Sequence, residues 1–334
     1  MAIHGNPFSA RSFVNGKIPP PVSADAKENF RTEVLRGLSA TPRRLPYKFF
    51  YDEQGAKLFQ QICQLPEYYI TRTEIEILRL HGAEMAAALG PQIELIGLGT
   101  GAGTKTQILL EELHEPAVYV PIDISNEQLE KSSSRFRETF PTLQVLPVAA
   151  DYLEPFELPL PRHLSSRSVI YFPGSTIGNF EPETAGEFLS RLVDLAGEDG
   201  GLLIGVDLQK DRHVIEAAYN DSAGVTAQFN KNLLTRINRT LGGDFDLAHW
   251  QHYAIYNPTE GRVELYLLSE IDQTVKIGDH NFRFHAGEKI LTEYSYKHPI
   301  GGFITLAREA GFHFEQVWTD DARWFGVFYF TVAN

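Results

Sequence analysis

The amino-acid sequence predicts an α/β fold in which a mostly parallel, Rossmann-like sheet is accompanied by a smaller α+β unit. Short apolar runs alternate with helical patterns over residues 93–208, the pattern changes after residue 210, and a strand–turn–strand pattern ends the chain. Alternating strand and helix signals are typical of parallel sheets covered by helices. The 334 residues are enough for two domains.

The apolar runs of the sheet are each followed by apolar residues at the three- and four-residue spacing of a helix. The runs are Ile93–Leu98, Ala117–Ile122, Leu143–Val148, Ser168–Phe172 and Leu202–Leu208. A further helix is predicted ahead of them, opened by a capping box of Thr71 and Glu74 and ending at Leu89 before Gly90. These patterns predict at least five strands, with a helix leading into the first.

The chain after residue 210 predicts an inserted α+β unit. Its predicted helices span 211–220 and 224–240, and its predicted strands span 249–257, 262–270 and 273–284, the last with a turn at Gly278 and Asp279. We therefore expect discontinuous domains. They are a flexible leader over 1–19, a substrate-binding domain over 20–72 and 210–296, and a nucleotide-binding domain over 73–209 and 297–334.

The C-terminal segment returns to the pattern of the sheet. A helix over Phe303–Ala310 precedes a strand over His313–Trp318, a turn at Asp320 and Asp321, and a strand over Phe325–Val332. A tight hairpin makes the last strand antiparallel. By fold analogy alone, that ending is typical of S-adenosylmethionine-dependent methyltransferases rather than of dinucleotide dehydrogenases.

Charge and composition limit the partners. The formal net charge of −13 repels phosphate backbones and anionic lipid, so we expect no nucleic acid and no membrane partner. No apolar run reaches the roughly 18 to 20 residues that span a bilayer, and the N-terminus lacks a signal-peptide pattern. The single cysteine, Cys63, allows no intramolecular disulfide. We expect a cytoplasmic monomer that acts on a small molecule and uses no metal.

A glycine-rich segment, Gly97–Gly103, follows the first predicted strand and leads into a helix. Glycines there allow a ligand to approach the backbone closely. Asp123 ends the second predicted strand, where a carboxylate accepts hydrogen bonds from ribose hydroxyls. This pair of features does not distinguish S-adenosylmethionine from NAD, because Gly97, Gly99 and Ala102 also satisfy a loose dinucleotide pattern.

Polar residues follow two later strands. Asp151 and Tyr152 offer an acceptor and an aromatic face for adenine, although they also fit an ordinary loop start. The segment Phe172–Phe180 concentrates glycine, serine, threonine and asparagine at the end of the fourth strand. Open α/β sheets bind ligands at the carboxyl ends of their strands. The segment is therefore predicted to line a ligand site.

Several uncommon strings occur together in this chain. They are Leu65–Tyr69 with Thr71–Glu74, Gly174–Asn179, Tyr219 with 223–227 and Phe229-Asn230, Asp244–Asp246, and Leu291–Ser295. With these strings, from about Leu38 to the C-terminus, the chain resembles the histidine-specific methyltransferases of ergothioneine biosynthesis, which make N-α-trimethylhistidine. The resemblance implies a class I methyltransferase fold, S-adenosylmethionine as co-substrate and L-histidine as substrate.

The resemblance also implies the role of each site residue. The residues implied to contact S-adenosylmethionine are Gly99, Lys105, Asp123, Asp151 and Tyr152. Those implied to bind histidine are Asn179 and Tyr219 at the carboxylate, Glu293 and Ser295 at the imidazole, Tyr51 and Phe59 around the methylated amine, and Tyr68 beside the amino group. Tyr68 is the implied catalytic residue, which orients the nitrogen or relays its proton through water. Without the resemblance, Tyr51 and Phe59 fit ordinary core packing.

Two residues depart from the family's pattern. Gly97 stands where the family usually carries an acidic residue at the end of the first strand. Leu265 stands where a methionine typically faces the imidazole, and it belongs to the implied substrate-binding residues. This near volume-conserving change should alter the fit by under about 1.5 kcal/mol.

Alternatives remain open from the sequence. The same reaction on another aromatic or modified amino acid is one, an NAD-dependent dehydrogenase is another, and a non-catalytic amino-acid sensor is a third. An imidazole N–H paired with Glu293 and Ser295 would reject analogues that leave these groups unpaired, by roughly 10⁴-fold. Those two polar side chains favour histidine over a purely apolar ring.

Overall fold

The computed structural model describes residues 11–12 and 24–332; the expected leader, residues 1–19, lies outside the described residues except at Arg11 and Ser12. The helices are α1 (Ala24–Ser39), α2 (Glu53–Ile62), α3 (Tyr69–Leu89), α4 (Thr104–Glu112), α5 (Asn126–Thr139), α6 (Pro182–Ala196), α7 (Arg212–Tyr219), α8 (Val225–Leu241) and α9 (Ile300–Glu309). The strands are β1 (Arg11–Ser12), β2 (Glu94–Leu98), β3 (Val118–Asp123), β4 (Gln144–Val145), β5 (Val148–Ala149), β6 (Leu158–Pro159), β7 (Ser168–Phe172), β8 (Gly201–Asp207), β9 (Trp250–Asn257), β10 (Arg262–Ser269), β11 (Gln273–Ile277), β12 (His280–Phe284), β13 (Lys289–Tyr296), β14 (Phe312–Thr319) and β15 (Phe325–Val332).

The described chain forms two compact units. One contains residues 73–208 and 298–332 together with β1, and the other contains residues 24–72 and 209–297. We call them the sheet unit and the insert unit. Within the described residues, no helix is both long and apolar enough to cross a membrane.

The sheet unit is built on one large sheet with the strand order β14-β15-β8-β7-β2-β3-β4, and β5 also pairs with β3. The pairs from β8 through β7, β2 and β3 to β4 are parallel. Strand β15 runs antiparallel to β8 and to β14. The expected fold class, a mostly parallel sheet closed by an antiparallel C-terminal hairpin, is confirmed.

Burial explains why the sequence pattern predicted this sheet. Every residue of β2, β7 and β8 is buried. Strands covered on both faces appear as continuous apolar runs. Because these strands are parallel, Leu98, Asp123 and Phe172 end at the same edge of the sheet, the edge where such sheets bind ligands.

Two local expectations were wrong. The predicted strand Leu143–Val148 is split into β4 and β5, which both pair with β3; Pro147 lies between them and has no N–H to donate to a ladder. Helix α3 begins at Tyr69, so Thr71 lies inside the helix and cannot open it as a cap. The Thr71 hydroxyl lies 3.3 Å from the sulfur of Cys63 instead.

The insert unit contains a three-stranded antiparallel sheet with the order β13-β10-β9 and a separate β11–β12 hairpin. Helices α7 and α8 pack against β9. The hairpin turns at the expected Gly278 and Asp279, since Ile277 pairs with His280. Strand β13 is not among the predicted strands, and it carries Glu293 and Ser295.

Candidate active site

The glycine loop of the sheet unit joins β2 to α4. Gly99, Gly101 and Gly103 have φ angles of 60°, 49° and 72°, in the left-handed region that favours glycine. The Gly101 N–H donates to Asp123 Oδ2 at 3.0 Å, and the Ser125 N–H donates to Asp123 Oδ1 at 2.9 Å. These bonds fix the Asp123 carboxylate beside the loop. Burial raises the pKa of Asp123, against the lowering effect of the backbone donors.

An aromatic ring lies against the same loop. A Cβ added to Gly99 would stand 3.3 Å from Cε1 of Tyr152, so the ring of Tyr152 covers this glycine. Burial raises the pKa of the Tyr152 hydroxyl, which therefore stays protonated at neutral pH. Asp151 Oδ1 accepts a hydrogen bond from the Leu153 N–H at 3.0 Å, which orders the turn that carries both residues.

Lys105 and Glu74 form an ion pair in the sheet unit. Glu74 is fully buried, and both of its carboxylate oxygens accept the Gly174 N–H at 3.0 Å. A Cβ on Gly174 would lie 3.4 Å from Lys105 Nζ. The carboxylate of Glu74 thus holds Lys105 and the Gly174 segment together at the carboxyl end of β7.

These residues fit S-adenosylmethionine. Each oxygen of Asp123 can accept a second hydrogen bond besides its backbone donor, as a ribose diol requires. Within the described part of the chain, a Cβ added to Gly101 would meet no atom within 4 Å, so the loop leaves open space there. Lys105 offers a cation to a carboxylate. Gly97 has less room, because a Cβ there would lie 2.6 Å from Thr100 Cγ2.

Asn179 also belongs to the sheet unit. It ends a short 3-10 helix, Thr176–Asn179, that follows β7. The preceding Ser175 has a φ of 58°, and its Oγ accepts the Asp207 N–H at 2.9 Å. This bond ties the polar segment to the end of β8 and fixes where Asn179 is presented. The remaining implied histidine-binding residues lie in the insert unit.

Four of these residues form a row of aromatic rings in the insert unit. The ring centroids of Tyr51 and Phe59 are 5.5 Å apart, those of Phe59 and Tyr68 are 6.3 Å apart, and those of Tyr68 and Tyr219 are also 6.3 Å apart. Phe229 contacts both Tyr51 and Phe59, at 5.7 and 6.0 Å. The three pairs along the row are edge-to-face, a preferred arrangement of aromatic rings.

The polar residues of β13 stand at the end of this row. Glu293 and Ser295 are two positions apart on a strand, so both side chains are on one face. Leu265 of β10 pairs directly with Glu293, which places its side chain on that face as well. The Tyr219 hydroxyl lies 2.7 Å from Ser295 Oγ. The structure therefore brings together all the implied residues of the insert unit.

Tyr219 is also held by its backbone. The His252 ring lies with Nε2 at 2.8 Å from the Tyr219 carbonyl oxygen and Nδ1 at 2.9 Å from the Asn230 amide nitrogen. Burial lowers the pKa of His252, so the ring is neutral at pH 7. A neutral ring that accepts at Nδ1 donates from Nε2, and both nitrogens are then satisfied.

Tyr68 is buried, with 8% of its surface exposed. Burial raises the pKa of its hydroxyl well above the usual value, and the neighbouring Tyr219 and the carboxylate of Glu293 add to the effect. The phenol is therefore protonated at every pH at which the protein works. It can donate or accept a hydrogen bond, but it does not act as a tyrosinate base.

The sequence patterns did not identify three residues of these clusters as part of a site. Lys297 contacts Tyr219 and Ser295 but follows a strand that was not predicted. Phe229 occurs only in one of the uncommon strings, and the spacing of Glu74 from Thr71 predicts a helix cap. Phe229 had a usable signal in the apolar spacing of α8; the other two depend on contacts between distant parts of the chain. Among the residues that the structure describes, no group of three or more His, Cys, Asp or Glu side chains suits a metal ion.

The strand order, the glycine loop at the carboxyl edge and the aspartate ending the adjacent strand define a Rossmann-like, S-adenosylmethionine-dependent methyltransferase. The chain belongs to the family described as histidine-specific, S-adenosylmethionine-dependent methyltransferases, whose pattern matches residues 30–332. Membership confirms the expected resemblance and decides between S-adenosylmethionine and NAD at the glycine loop.

Curated relatives agree with this family. The chain is 40% identical over 308 residues to the histidine N-alpha-methyltransferase of Mycolicibacterium smegmatis, covering 90% of this chain and 94% of the relative. It is 40% identical to the enzyme of the same name from Mycobacterium tuberculosis, covering 89% of this chain and 93% of the relative. It is 30% identical to ergothioneine biosynthesis protein 1 of Neurospora crassa, covering 82% of this chain but 34% of that longer protein.

Proposed function

We propose that this enzyme transfers methyl groups from S-adenosylmethionine to the α-amino nitrogen of L-histidine, producing N-α-trimethylhistidine for ergothioneine biosynthesis. The observation that carries the proposal is the joining of a row of aromatic rings to a polar cluster. The Tyr219 hydroxyl at one end of the row lies 2.7 Å from Ser295, two residues from Glu293. One end suits an imidazole and the other suits a methylated amine.

The polar cluster provides for recognition of the imidazole. Glu293 accepts one ring N–H, and Ser295 Oγ accepts the N–H of the other ring nitrogen when the imidazole is protonated. Leu265, opposite Glu293 on β10, packs against the ring face. A substrate lacking the ring nitrogens would leave the carboxylate and the hydroxyl unpaired, which lowers kcat/KM by roughly 10⁴-fold in such sites.

The other end of histidine needs partners for its carboxylate and its amine. Within the insert unit, Tyr219 is proposed to donate to the carboxylate, and Tyr68 is proposed to orient the amine. The amine attacks as a neutral group, so the reaction draws on the fraction of histidine whose amine is unprotonated. As the N–C bond forms, the C–S bond breaks and S-adenosylhomocysteine leaves with the electron pair. After each of the first two transfers the nitrogen loses a proton to water; after the third it has none to lose and stays positively charged.

Positioning supplies most of the catalysis in this scheme. The sulfonium is already an activated electrophile, so the enzyme needs no metal and no covalent intermediate. Holding reactants near attack distance contributes up to roughly 7 to 11 kcal/mol. Each added methyl group removes an N–H, and the last one leaves a permanent cation. Tyr51 and Phe59 can stabilise that cation by about 0.5–2 kcal/mol each through their ring faces.

The test combines substrate screening with a variant of the site. Purified protein is mixed with methyl-labelled S-adenosylmethionine and each protein amino acid in turn, and products are identified by mass spectrometry. Histidine carrying up to three added methyl groups is the expected product. Glu293→Gln should lose most activity, whereas the same change at Glu270, outside the site, should not. Labelling of a different amino acid, with none on histidine, overturns the proposal.

We further propose that the enzyme works in the cytoplasm as a monomer and without nucleic acid. The net charge of −13 and the lone Cys63 support this. Light scattering during gel filtration tests the oligomeric state, with the mass of a single 37.6 kDa chain as the expected result.

A further inference from the structure

A buried lysine lies beside the polar cluster of the insert unit. Lys297 directly follows β13 and has 2% of its surface exposed. Its Nζ lies 2.8 Å from the Tyr219 hydroxyl oxygen and 2.8 Å from Ser295 Oγ, and it stands 4.8 Å from the centroid of the Tyr219 ring. Lysine is rarely buried to this extent, because an ammonium loses its hydration. Its position against two implied substrate-binding hydroxyls therefore calls for a functional explanation.

The backbone around Lys297 directs the side chain to this place. The Lys297 N–H donates to the Gly261 carbonyl at 2.8 Å, which anchors the end of β13 to the turn between β9 and β10. Residues 293, 295 and 297 continue one alternation, so their side chains share a face. The ammonium therefore lies in the polar cluster that already contains Glu293 and Ser295.

Hydrogen-bond chemistry gives this contact a direction. An ammonium has donors and no lone pair, so the Tyr219 and Ser295 oxygens both accept from Lys297. Neither hydroxyl can then point its own hydrogen at Lys297. Of the two hydroxyl hydrogens, one is used in the hydrogen bond between Tyr219 and Ser295, and the other is available to a substrate. A hydroxyl that accepts from a cation is also a stronger donor to an anion, because successive hydrogen bonds polarise one another.

We propose that Lys297 is a positioning residue for the amino-acid substrate: it orients the Tyr219 and Ser295 hydroxyls and supplies the positive charge that favours a substrate carboxylate at Tyr219. This inference rests on the proposed function and deepens it. It makes the carboxylate, and not only the imidazole, a determinant of specificity in the insert unit.

The test compares histidine with histamine, the same molecule without its carboxylate, in the parent enzyme and in Lys297→Met. The variant should raise the KM for histidine about tenfold or more and leave the affinity for S-adenosylhomocysteine within about twofold. It should also reduce the preference for histidine over histamine about tenfold. A residue that only fills space would lower stability without changing that preference. Lys289→Met, at the exposed start of β13, is the matched control and should behave like the parent.

A second variant separates charge from hydrogen bonding. Lys297→Gln can still donate to both hydroxyls but is neutral. Its KM for histidine should therefore lie between those of Lys297→Met and the parent, while its preference for histidine over histamine stays as low as that of Lys297→Met. An unchanged histidine KM and preference in Lys297→Met overturns the proposal. If Lys297→Met does not fold, an unchanged preference for histidine over histamine in Lys297→Gln overturns the proposal as well. If neither variant binds S-adenosylhomocysteine, Lys297 has a purely structural role, which also overturns the proposal.

The proposed function fails on a different measurement. It fails if the parent enzyme does not methylate histidine. If the parent instead methylates another amino acid, that acid and its decarboxylated amine take the place of histidine and histamine, and the role of Lys297 is decided in the same way.

Discussion

The buried hydroxyl of Tyr68 limits the part that this residue can take in proton transfer. Because burial raises its pKa well above 10, the phenol is protonated on both sides of neutrality and contributes no titration between pH 6 and 9. The neutral fraction of the substrate amine, which is the attacking form, grows as the pH rises through this range. The rate should therefore rise with pH as the amine loses its proton, whatever stands at position 68.

Replacing Tyr68 with phenylalanine tests this assignment. The variant should lower kcat by about ten- to a hundredfold, since an orienting hydrogen bond is lost, while the rising limb of the pH–rate profile stays where it is. Methyl-transfer assays at pH values from 6 to 9 give both kcat and the position of the rising limb. Tyr253→Phe, a change of the same kind on β9, should leave both unaltered. A limb that disappears in Tyr68→Phe would show that the tyrosine is itself the base.

Phe59 is the residue whose removal should separate substrate from product. Its ring contacts Tyr51, Tyr68 and Phe229. A permanent cation gains about 0.5–2 kcal/mol from an aromatic face, so Phe59→Leu should weaken binding of trimethylhistidine roughly 2- to 30-fold. Histidine itself, measured by the same calorimetric titration, should lose less. Equal losses for the two ligands would assign Phe59 to the core.

Single residues also mark the limit of what the sequence could predict. The placement of Asp123 and the glycines was predictable, because it follows from a local strand–loop–helix pattern. Glu74 was misread, since Thr71 and Glu74 have the spacing of a capping box whereas the partners that matter are Lys105 and Gly174. Lys297 gave no signal, because a lysine in an alternating segment usually faces water. Contacts between distant parts of the chain decided both cases.

At the scale of elements, burial on both faces made the central strands of the large sheet easy to recognise. Strands β2, β7 and β8 gave continuous apolar runs and were predicted well. Strand β13 mixes lysine, glutamate, serine and tyrosine, although only its first residue is exposed. That composition resembles a loop. A strand that carries a polar site is thus harder to predict than one that only fills the core.

Two glycine substitutions just before α4 test the backbone conformation of the glycine loop. Alanine at Gly101 or Gly103 incurs the cost of a left-handed backbone, about 1–2 kcal/mol. Gly103 has a second constraint, since a Cβ there would lie 2.8 Å from the ring of Phe136. Overpacking of this kind costs about 1–3 kcal/mol more. Gly103→Ala should therefore lower the melting temperature further than Gly101→Ala, by about 2–4 °C for each additional kcal/mol. Equal melting temperatures would contradict the packing argument.

For the whole molecule, the order of elements along the chain was predictable because each unit is assembled largely from local patterns. The parallel strands, the helical stretch after residue 210 and the closing hairpin were all expected in the correct order. The side-chain partners inside the insert unit were not. The row joins three rings from residues 51–68 to Tyr219 at the end of α7, which is far away in sequence.

The assignment of the two ligands to different units predicts separable variants. Asp123→Asn keeps the shape of the side chain, but its amide nitrogen cannot accept a hydrogen bond. One of the two backbone donors, the N–H of Gly101 or of Ser125, therefore loses its acceptor. Loss of a charged hydrogen bond costs about 1.5–3 kcal/mol, so the affinity for S-adenosylhomocysteine should fall roughly 10- to 150-fold. Glu293→Gln should leave that affinity unchanged and raise the KM for histidine instead.

Thermal unfolding with added ligand measures this separation. A ligand at a hundred times its Kd stabilises the native state by about 2.7 kcal/mol, so S-adenosylhomocysteine should raise the melting temperature of the parent and of Glu293→Gln equally. The same concentration should raise that of Asp123→Asn much less, and NADH should raise none of them. If Glu293→Gln loses the stabilisation to the extent that Asp123→Asn does, the carboxylate of Glu293 serves the methyl donor, and its assignment to the histidine imidazole is wrong.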